Sequence, residues 1–298
     1  MQAVRRHKRI NWVPYVLIAP FFIGYALFSM YPTLYAFRLS FYNWDALSPM
    51  KFVGLKNYQN IIGNKYFNHA LLVSLQFIMT GPVTTLLALT VAVVISGQLV
   101  RAKNFYRLSF FVPYMTMPVA IGVLFSMLLG WDLGIINRVS IALKLYQTPI
   151  HWLGERSLVF FCVCLVVVWR YFGFHMIIYM GGMQSIDGAL YEAAKIDGAD
   201  SWQSFWRITL PLMKPYIVYL MITSISGGMN MFDEPMMLYR VEGGAGGMAQ
   251  NVGMMIYQQV FIANRWGYGS AMSFVAFAIV AAMTLVFYRI NYRGGMGG

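Results

Sequence analysis

Residues 157–186 read SLVFFCVCLVVVWRYFGFHMIIYMGGMQSI, thirty positions with one charge, Arg170. An α-helix needs about 20 apolar residues to cross the hydrocarbon core of a bilayer, and this run exceeds that. Working outward, the same test finds five more stretches. They are residues 10–37 (apolar heart 12–31), 66–100 (best span 70–96), 108–131, 215–232 running on to about Tyr239, and 266–288. Residues 243–264 are also nearly uncharged. Gly243, Gly244, Gly246, Gly247, Gln250 and Asn251 make their first half read as a loop.

Composition agrees. Charged residues make up 11% of the 298, hydrophobic residues 59% and aromatic residues 17%. Soluble domains carry roughly 25% charge, so a soluble fold is excluded. Disorder is excluded by the apolar mass, and a disulfide scaffold by a count of two cysteines. Cys162 and Cys164 lie two positions apart and point to different faces of a helix. They read as small apolar side chains. The net charge of +12 comes from single or short groups of Lys and Arg between apolar runs. Nucleic-acid binding needs them clustered on one soluble face, so no nucleic-acid partner is expected; flanking membrane spans explains them.

Six spans put both termini on one side. Arg5, Arg6, Lys8 and Arg9, with no acid among the first nine residues, make that side cytoplasmic by the positive-inside rule. Arg101, Lys103 and Arg107 agree, as do Arg289 and Arg293. The first apolar run is too long for a secretory signal and reads as an uncleaved span. The expected layout is an N-terminal tail (1–11), a first span with an outer loop (12–66), a five-span core (67–290) and a C-terminal tail (291–298).

Residues 185–215 do not look like membrane. Asp187, Glu192, Lys195, Asp197, Asp200, Arg207 and Lys214 make them the most charged internal stretch. Asp187 is a candidate N-cap for a helix over 189–196, ended by Asp197-Gly198. Ser201 is a candidate cap for a second helix through about Ile208, stopped by Leu210-Pro211. A plain connection needs only a handful of residues. The composition leaves two readings open: a surface for close approach by another protein at Ala193, Ala194 and Gly198, or an amphipathic helix lying on lipid.

Glu192-Ala193-Ala194-Lys195-Ile196-Asp197-Gly198, then nine residues, then Ile208-Thr209-Leu210-Pro211, resembles the EAA signature. That signature marks the membrane subunits of binding-protein-dependent ABC importers. The resemblance extends to the carbohydrate-uptake branch of this MetI-like family. It covers YVLIAPFFIGYALFSMYPTLYAFRLSFYNW (15–44), Phe52-Val53-Gly54-Leu55-Lys56-Asn57-Tyr58, Phe232-Asp233, and Gly267-Tyr268-Gly269-Ser270-Ala271-Met272. Two departures stand out: Asp187 where the family often has proline, and Val241-Glu242-Gly243-Gly244-Ala245 in place of a T-x-G-G-P run.

The resemblance implies an all-α integral membrane protein of six transmembrane helices, with a cytoplasmic helical coupling loop between spans four and five. It implies a permease subunit of an ATP-driven sugar or oligosaccharide importer. The implied partners are a second, non-identical permease, two ATPase subunits and an extracytoplasmic solute-binding protein. Glu192, Ala193, Ala194, Asp197, Gly198, Ile208, Leu210 and Pro211 are then the ATPase-coupling residues. No G-x-x-x-x-G-K-[ST] run occurs in the chain. The chain is therefore expected to be no enzyme and to bind no cofactor, with ATP and Mg²⁺ held by the partner ATPases.

Polar groups inside spans are costly and usually face a cavity or a partner. The resemblance places Arg170, Tyr171, Phe174, Ser226, Asn230 and Asp233 along the substrate path. Sugars are held by planar polar groups and aromatic faces, which these supply. Arg170 has a second reading, a structural ion pair with Asp233, Glu234 or the partner permease. His175 reads as a packing histidine and the pairs Gly181-Gly182 and Gly227-Gly228 as close helix contacts. The 22 methionines read as gap-fillers, with no metal site. The alternatives are an ABC permease for a polyol, glycerol phosphate, amino acid, peptide or phosphate, and a stand-alone secondary carrier. A carrier is expected to show internal repeats and mid-membrane ion sites.

Overall fold

The computed structural model describes residues 12–97 and 102–292. Arg5, Arg6, Lys8, Arg9, Arg101 and Arg293, on which much of the orientation rests, lie outside them, as do residues 1–11 and most of the C-terminal tail. Among the described residues five helices are long and apolar enough to cross a membrane, and a bent pair makes a sixth.

The first span, Val13–Leu39, consists of α1 (Val13–Tyr25), a π-helical turn (Ala26–Met30) and α2 (Tyr31–Leu39). The wide turn sits one residue before Pro32. A proline cannot donate to the helical ladder, and here it falls where the ladder has already shifted register. No residue of α1 is buried, so this helix leaves the rest of the chain to meet lipid or a partner. A short hairpin pairs β1 (Tyr42–Asn43) with β2 (Lys51–Phe52) and is followed by α3 (Lys56–Ile62). The strands are two residues each, so the fold is all-α apart from this clip.

The second span joins α4 (Lys65–Ile78) to α5 (Thr80–Ser96). Asn64 caps α4, accepting from the backbone N–H of Tyr66 and Phe67. The third span differs from the expected continuous helix over 108–131. It is α6 (Lys103–Met115) and α7 (Pro118–Leu128), bent by 97°. Thr116 and Met117 are extended between them, at ψ 139° and 136°. Pro118 is the cause: its ring disfavours helix at the residue before it. An outer segment follows with α8 (Ile135–Ala142), then the fourth span α9 (Val159–Gln184).

The charged segment folds as α10 (Gly188–Ile196) and α11 (Ser201–Ser204). Asp187 caps α10, accepting from Ala189 N–H. Asp200, and not Ser201, caps α11, in a reciprocal box with Gln203. Leu210-Pro211 does not stop the helix either. A π-helical turn (Phe205–Thr209) carries it into α12 (Leu210–Asn230), the same device that precedes Pro32. The helix breaks instead at Met231–Phe232 and resumes as α13 (Asp233–Tyr239). Gly243, Gly244, Gly246 and Gly247 all take positive φ, matching the expected loop. Then α14 (Val252–Tyr257) runs into a π-helical turn (Gln258–Ile262), forming a short apolar helix whose Val252, Met254 and Met255 are buried. The last span is α15 (Trp266–Tyr292).

The core lies where α5 and α6 cross α9, where α4 meets α12, and where α7 meets α13. Ala88, Ala92, Met176, Tyr179, Met180 and Leu220 form one buried cluster. The methionines fill such places: Met176, Met180, Met213, Met229, Met254 and Met272 are among the largest fully buried side chains. Of each glycine pair, one member makes the close contact. A Cβ on Gly228 would lie 2.7 Å from the Ile78 backbone, whereas Gly181 and Gly227 face open space. The tightest crossing was not singled out in the sequence. A Cβ on Gly173 would lie 1.7 Å from the carbonyl oxygen of Phe110, where α6 crosses α9. Neither backbone can yield cheaply. Gly173→Ala is therefore expected to separate the helices and lose most of the folded protein, read as monodisperse yield in detergent. Gly181→Ala should have no effect. Equal yields would contradict this packing.

Candidate functional site

Two features stand out. The first is a cavity of about 380 Å³ walled by α5, α6, α9, α12 and α13. Tyr171, Phe174, Ser226, Asn230 and Asp233 line it, together with Thr80, Thr84, Tyr114, His175, Phe232 and Glu234. The helix break at Met231–Phe232 creates one wall. It turns α13 so that Asp233 is exposed while the next residue, Glu234, is buried.

Five of the six residues placed on the path thus share one cavity. Arg170 does not line it. Its Nη1 donates to Glu234 Oε1 at 2.7 Å, with side-chain exposures of 11% and 4%. Its guanidinium also lies 5.5 Å from the Tyr171 ring centre. Arg170 therefore stands behind the wall, tied to Glu234 rather than Asp233, and its structural reading is the one the geometry supports. The pair joins α9 to α13 just where the chain breaks.

Aromatic faces shape the opposite wall. The Tyr114 and Phe174 rings stack at 4.7 Å and 18°, and Tyr114 meets Tyr171 edge-on at 5.8 Å. Asn230 lines the cavity from an exposed position and donates to Ser226 O at 3.0 Å. His175 faces Thr85 Oγ1 at 3.4 Å and is buried, as a packing histidine would be. Tyr114, Thr80 and Thr84 were missed in the sequence. The i, i+4 spacing of Thr80 and Thr84 on an otherwise apolar span was a usable signal.

The second feature is the charged segment. Glu192, Ala193, Asp197, Gly198 and Pro211 are exposed, and Ala194, Ile208 and Leu210 half-buried. Tyr191 and Thr209 hydroxyls meet at 2.8 Å and close the segment on itself. Gly198 takes φ +80° to end α10. On either side of it stand exposed apolar side chains: Ile196 is 87% exposed and Trp202 68%. Trp202 packs against Phe205 and Trp206. This apolar patch was not singled out in the sequence, although the W-Q-S-F-W run advertised it. A surface with that much exposed apolar area beside charges is built to be covered.

Residues 62–293 match the family described as "Binding-protein-dependent transport system inner membrane component". The chain is 32% identical to the arabinooligosaccharides transport system permease protein AraP of Bacillus subtilis, over 93% of this chain and 88% of that one. It is 30% identical to the lactose transport system permease protein LacF of Rhizobium radiobacter, over 98% and 97%. A solved bacterial ABC transporter involved in alginate import contains a chain of the same fold. That chain superposes with a TM-score of 0.78 at 20% identity, covering 95% of this chain and 96% of that one.

Proposed function

Because the chain belongs to the binding-protein-dependent transport system inner membrane component family, we propose that it is the permease subunit of an ATP-driven importer for a sugar or oligosaccharide. The observation that carries this reading is the length of the match. Permeases named for arabino-oligosaccharide and lactose transport align over more than nine-tenths of this chain. The protein is a multi-pass membrane protein and, like its relatives, a transport component rather than an enzyme.

In this reading both termini are cytoplasmic and α10 and α11 project into the cytoplasm. Glu192, Ala193, Ala194, Asp197 and Gly198 meet the surface of an ATPase subunit. Ile208, Leu210 and Pro211 carry the movement into α12 through an unbroken helix. Two ATPase subunits hold ATP and Mg²⁺ and supply the energy. A second, non-identical permease closes the open side of the pathway, and an extracytoplasmic binding protein delivers substrate. Tyr171, Phe174, Ser226, Asn230 and Asp233 contact sugar hydroxyls and ring faces, and Arg170 positions the wall that presents them.

The test is reconstitution of the complete transporter in vesicles with ATP inside and a sugar-loaded binding protein outside. Arabino-oligosaccharide, lactose and maltose are compared with an amino acid. Uptake of a sugar that requires ATP and binding protein is the expected result. Uptake by this chain alone, or uptake of the amino acid only, would overturn the reading. Asp233→Asn is expected to raise the half-saturating sugar concentration about ten-fold, because a hydrogen bond to a charged group contributes roughly 1.5–3 kcal/mol. An unchanged value would remove Asp233 from the path.

A further inference from the structure

Two concavities adjoin at the end of the molecule where α15 begins, away from the central cavity. One is a polar bowl of about 760 Å³ between α3, the turn after α14 and the start of α15. The other is a largely apolar groove of about 400 Å³ between α2, α15 and the same turn. Consecutive residues line the two in alternation. Asn43, Gln259 and Arg265 face the bowl, while Trp44, Val260 and Trp266 face the groove. The two are therefore halves of one surface, polar above and apolar below.

The frame is rigid. Asn57 donates to Ser40 O and Tyr42 O at 2.8 and 3.0 Å. Asn64 donates to Tyr268 Oη at 3.1 Å. A Cβ on Gly267 would lie 1.9 Å from Tyr42 O, so the hairpin lies directly on α15. Thus the F-V-G-L-K-N-Y and G-Y-G-S-A-M runs, which the central cavity does not use, meet here.

The bowl contains Lys56 and Arg265, and its lining holds no Asp or Glu among the described residues. Neither cation has an ion-pair partner among the described residues. At the junction one donor, Trp266 Nε1, and one acceptor, Gln259 Oε1, are buried without a hydrogen-bond partner in the described structure; the donor suits a phosphate oxygen and the acceptor a headgroup hydroxyl. Buried polar groups are normally paired. The Trp44 and Trp266 rings lie 6.4 Å apart, and tryptophan is typical of the level of the lipid headgroups.

We propose that this joint surface binds an anionic phospholipid, with the phosphate in the Lys56–Arg265 bowl and an acyl chain in the groove along α2 and α15. Charge complementarity decides for an anion: two unpaired cations and amide donors face no acid. The continuous apolar groove decides for one that carries a chain. Guanidinium geometry matches a phosphate. The site would tie the first span, little of which is buried against the rest of the chain, to the last one.

The test is native mass spectrometry of the full-length protein in mild detergent, titrated with phosphatidylglycerol or phosphatidylcholine of equal chain length. Phosphatidylglycerol is expected to be retained at least ten-fold better. The double variant Lys56→Gln/Arg265→Gln should lose that preference; both side chains are exposed and unpaired, so folding is not at risk. Ser270→Phe, which fills the groove and leaves the charges, should lose retention as well, whereas Arg138→Gln should bind like wild type. Equal retention of the two lipids, or full retention by the double variant, would overturn the proposal. So would displacement of phosphatidylglycerol by millimolar inorganic phosphate with Ser270→Phe binding normally, since that marks a free-anion site. A cross-link from Ser270→Cys to a partner permease segment in the assembled complex would equally refute it.

Discussion

Gly198→Asn is expected to abolish ATP-driven uptake while the protein still folds, and Glu192→Lys is expected to do the same. The reasons differ. Gly198 holds φ +80° at the end of α10, and no atom lies within 4 Å of where its Cβ would stand. Asparagine tolerates the left-handed region, so the backbone survives and only bulk is added to an exposed surface. If an ATPase subunit seats there, the added side chain meets it. Glu192 is exposed and has no ion-pair partner among the described residues, so its reversal costs the isolated chain little. Truncating one partner of a buried interfacial charge pair costs roughly 2–5 kcal/mol, at least about thirty-fold in affinity, and reversal costs more. The measurement is co-purification of the ATPase subunits together with uptake in vesicles. Both variants folding normally and both retaining the ATPases and uptake would refute the docking role of this segment.

How much of this was legible in the sequence follows from the range of the interactions. The spans were readable because each is set by a local run of apolar residues against a fixed bilayer thickness. The Asp187 cap and the Gly198 stop were readable for the same reason, being fixed by a few neighbouring residues. Proline was harder. Pro118 breaks the third span, while Pro32 and Pro211 follow π-turns that let a helix continue. The rule against helix before proline is the same in all three, and tertiary packing decides whether the ladder is shifted or abandoned. The break at Met231–Phe232 does have a local signal, because Pro235 cannot donate to Met231 O and its ring crowds that carbonyl, but Pro32 and Pro211 show that such a signal does not decide alone. Without that break, Asp233 and Glu234 read as equals; with it, both line the cavity, Asp233 exposed and Glu234 buried in its pair with Arg170. Gly173 illustrates the limit: one of three glycines in a thirty-residue apolar stretch, its need set by Phe110 more than sixty positions away.

The Arg170–Glu234 pair gives the second large expected effect. Glu234→Ala or Arg170→Ala alone is expected to destabilise the protein by about 3–5 kcal/mol, because each leaves its partner charged in a site nearly closed to water. The remaining group finds no opposite charge nearby among the described residues, only the neutral Tyr171 hydroxyl beside Glu234. Asp233 is adjacent in sequence but faces the cavity, and Arg170 Nε is already buried without a partner. Removing both charges is a different matter. A buried ion pair gains little over well-packed apolar side chains once desolvation is counted, so Arg170→Met/Glu234→Leu should recover most of the lost stability. The three variants are compared by thermal unfolding of the purified full-length chain. Recovery in the double variant identifies the cost in the singles as an unpaired charge. Uptake then reports a second quantity. If the pair sets where α13 begins, and so where Asp233 points, the double variant should fold well and still show a raised half-saturating sugar concentration. A double variant as unstable as either single would show that the two residues do not act as a pair. One that transports like wild type would show that α13 is positioned by its packing on α7 alone, where Gly122 lets Met237 approach so closely that a Cβ would lie 2.5 Å from it.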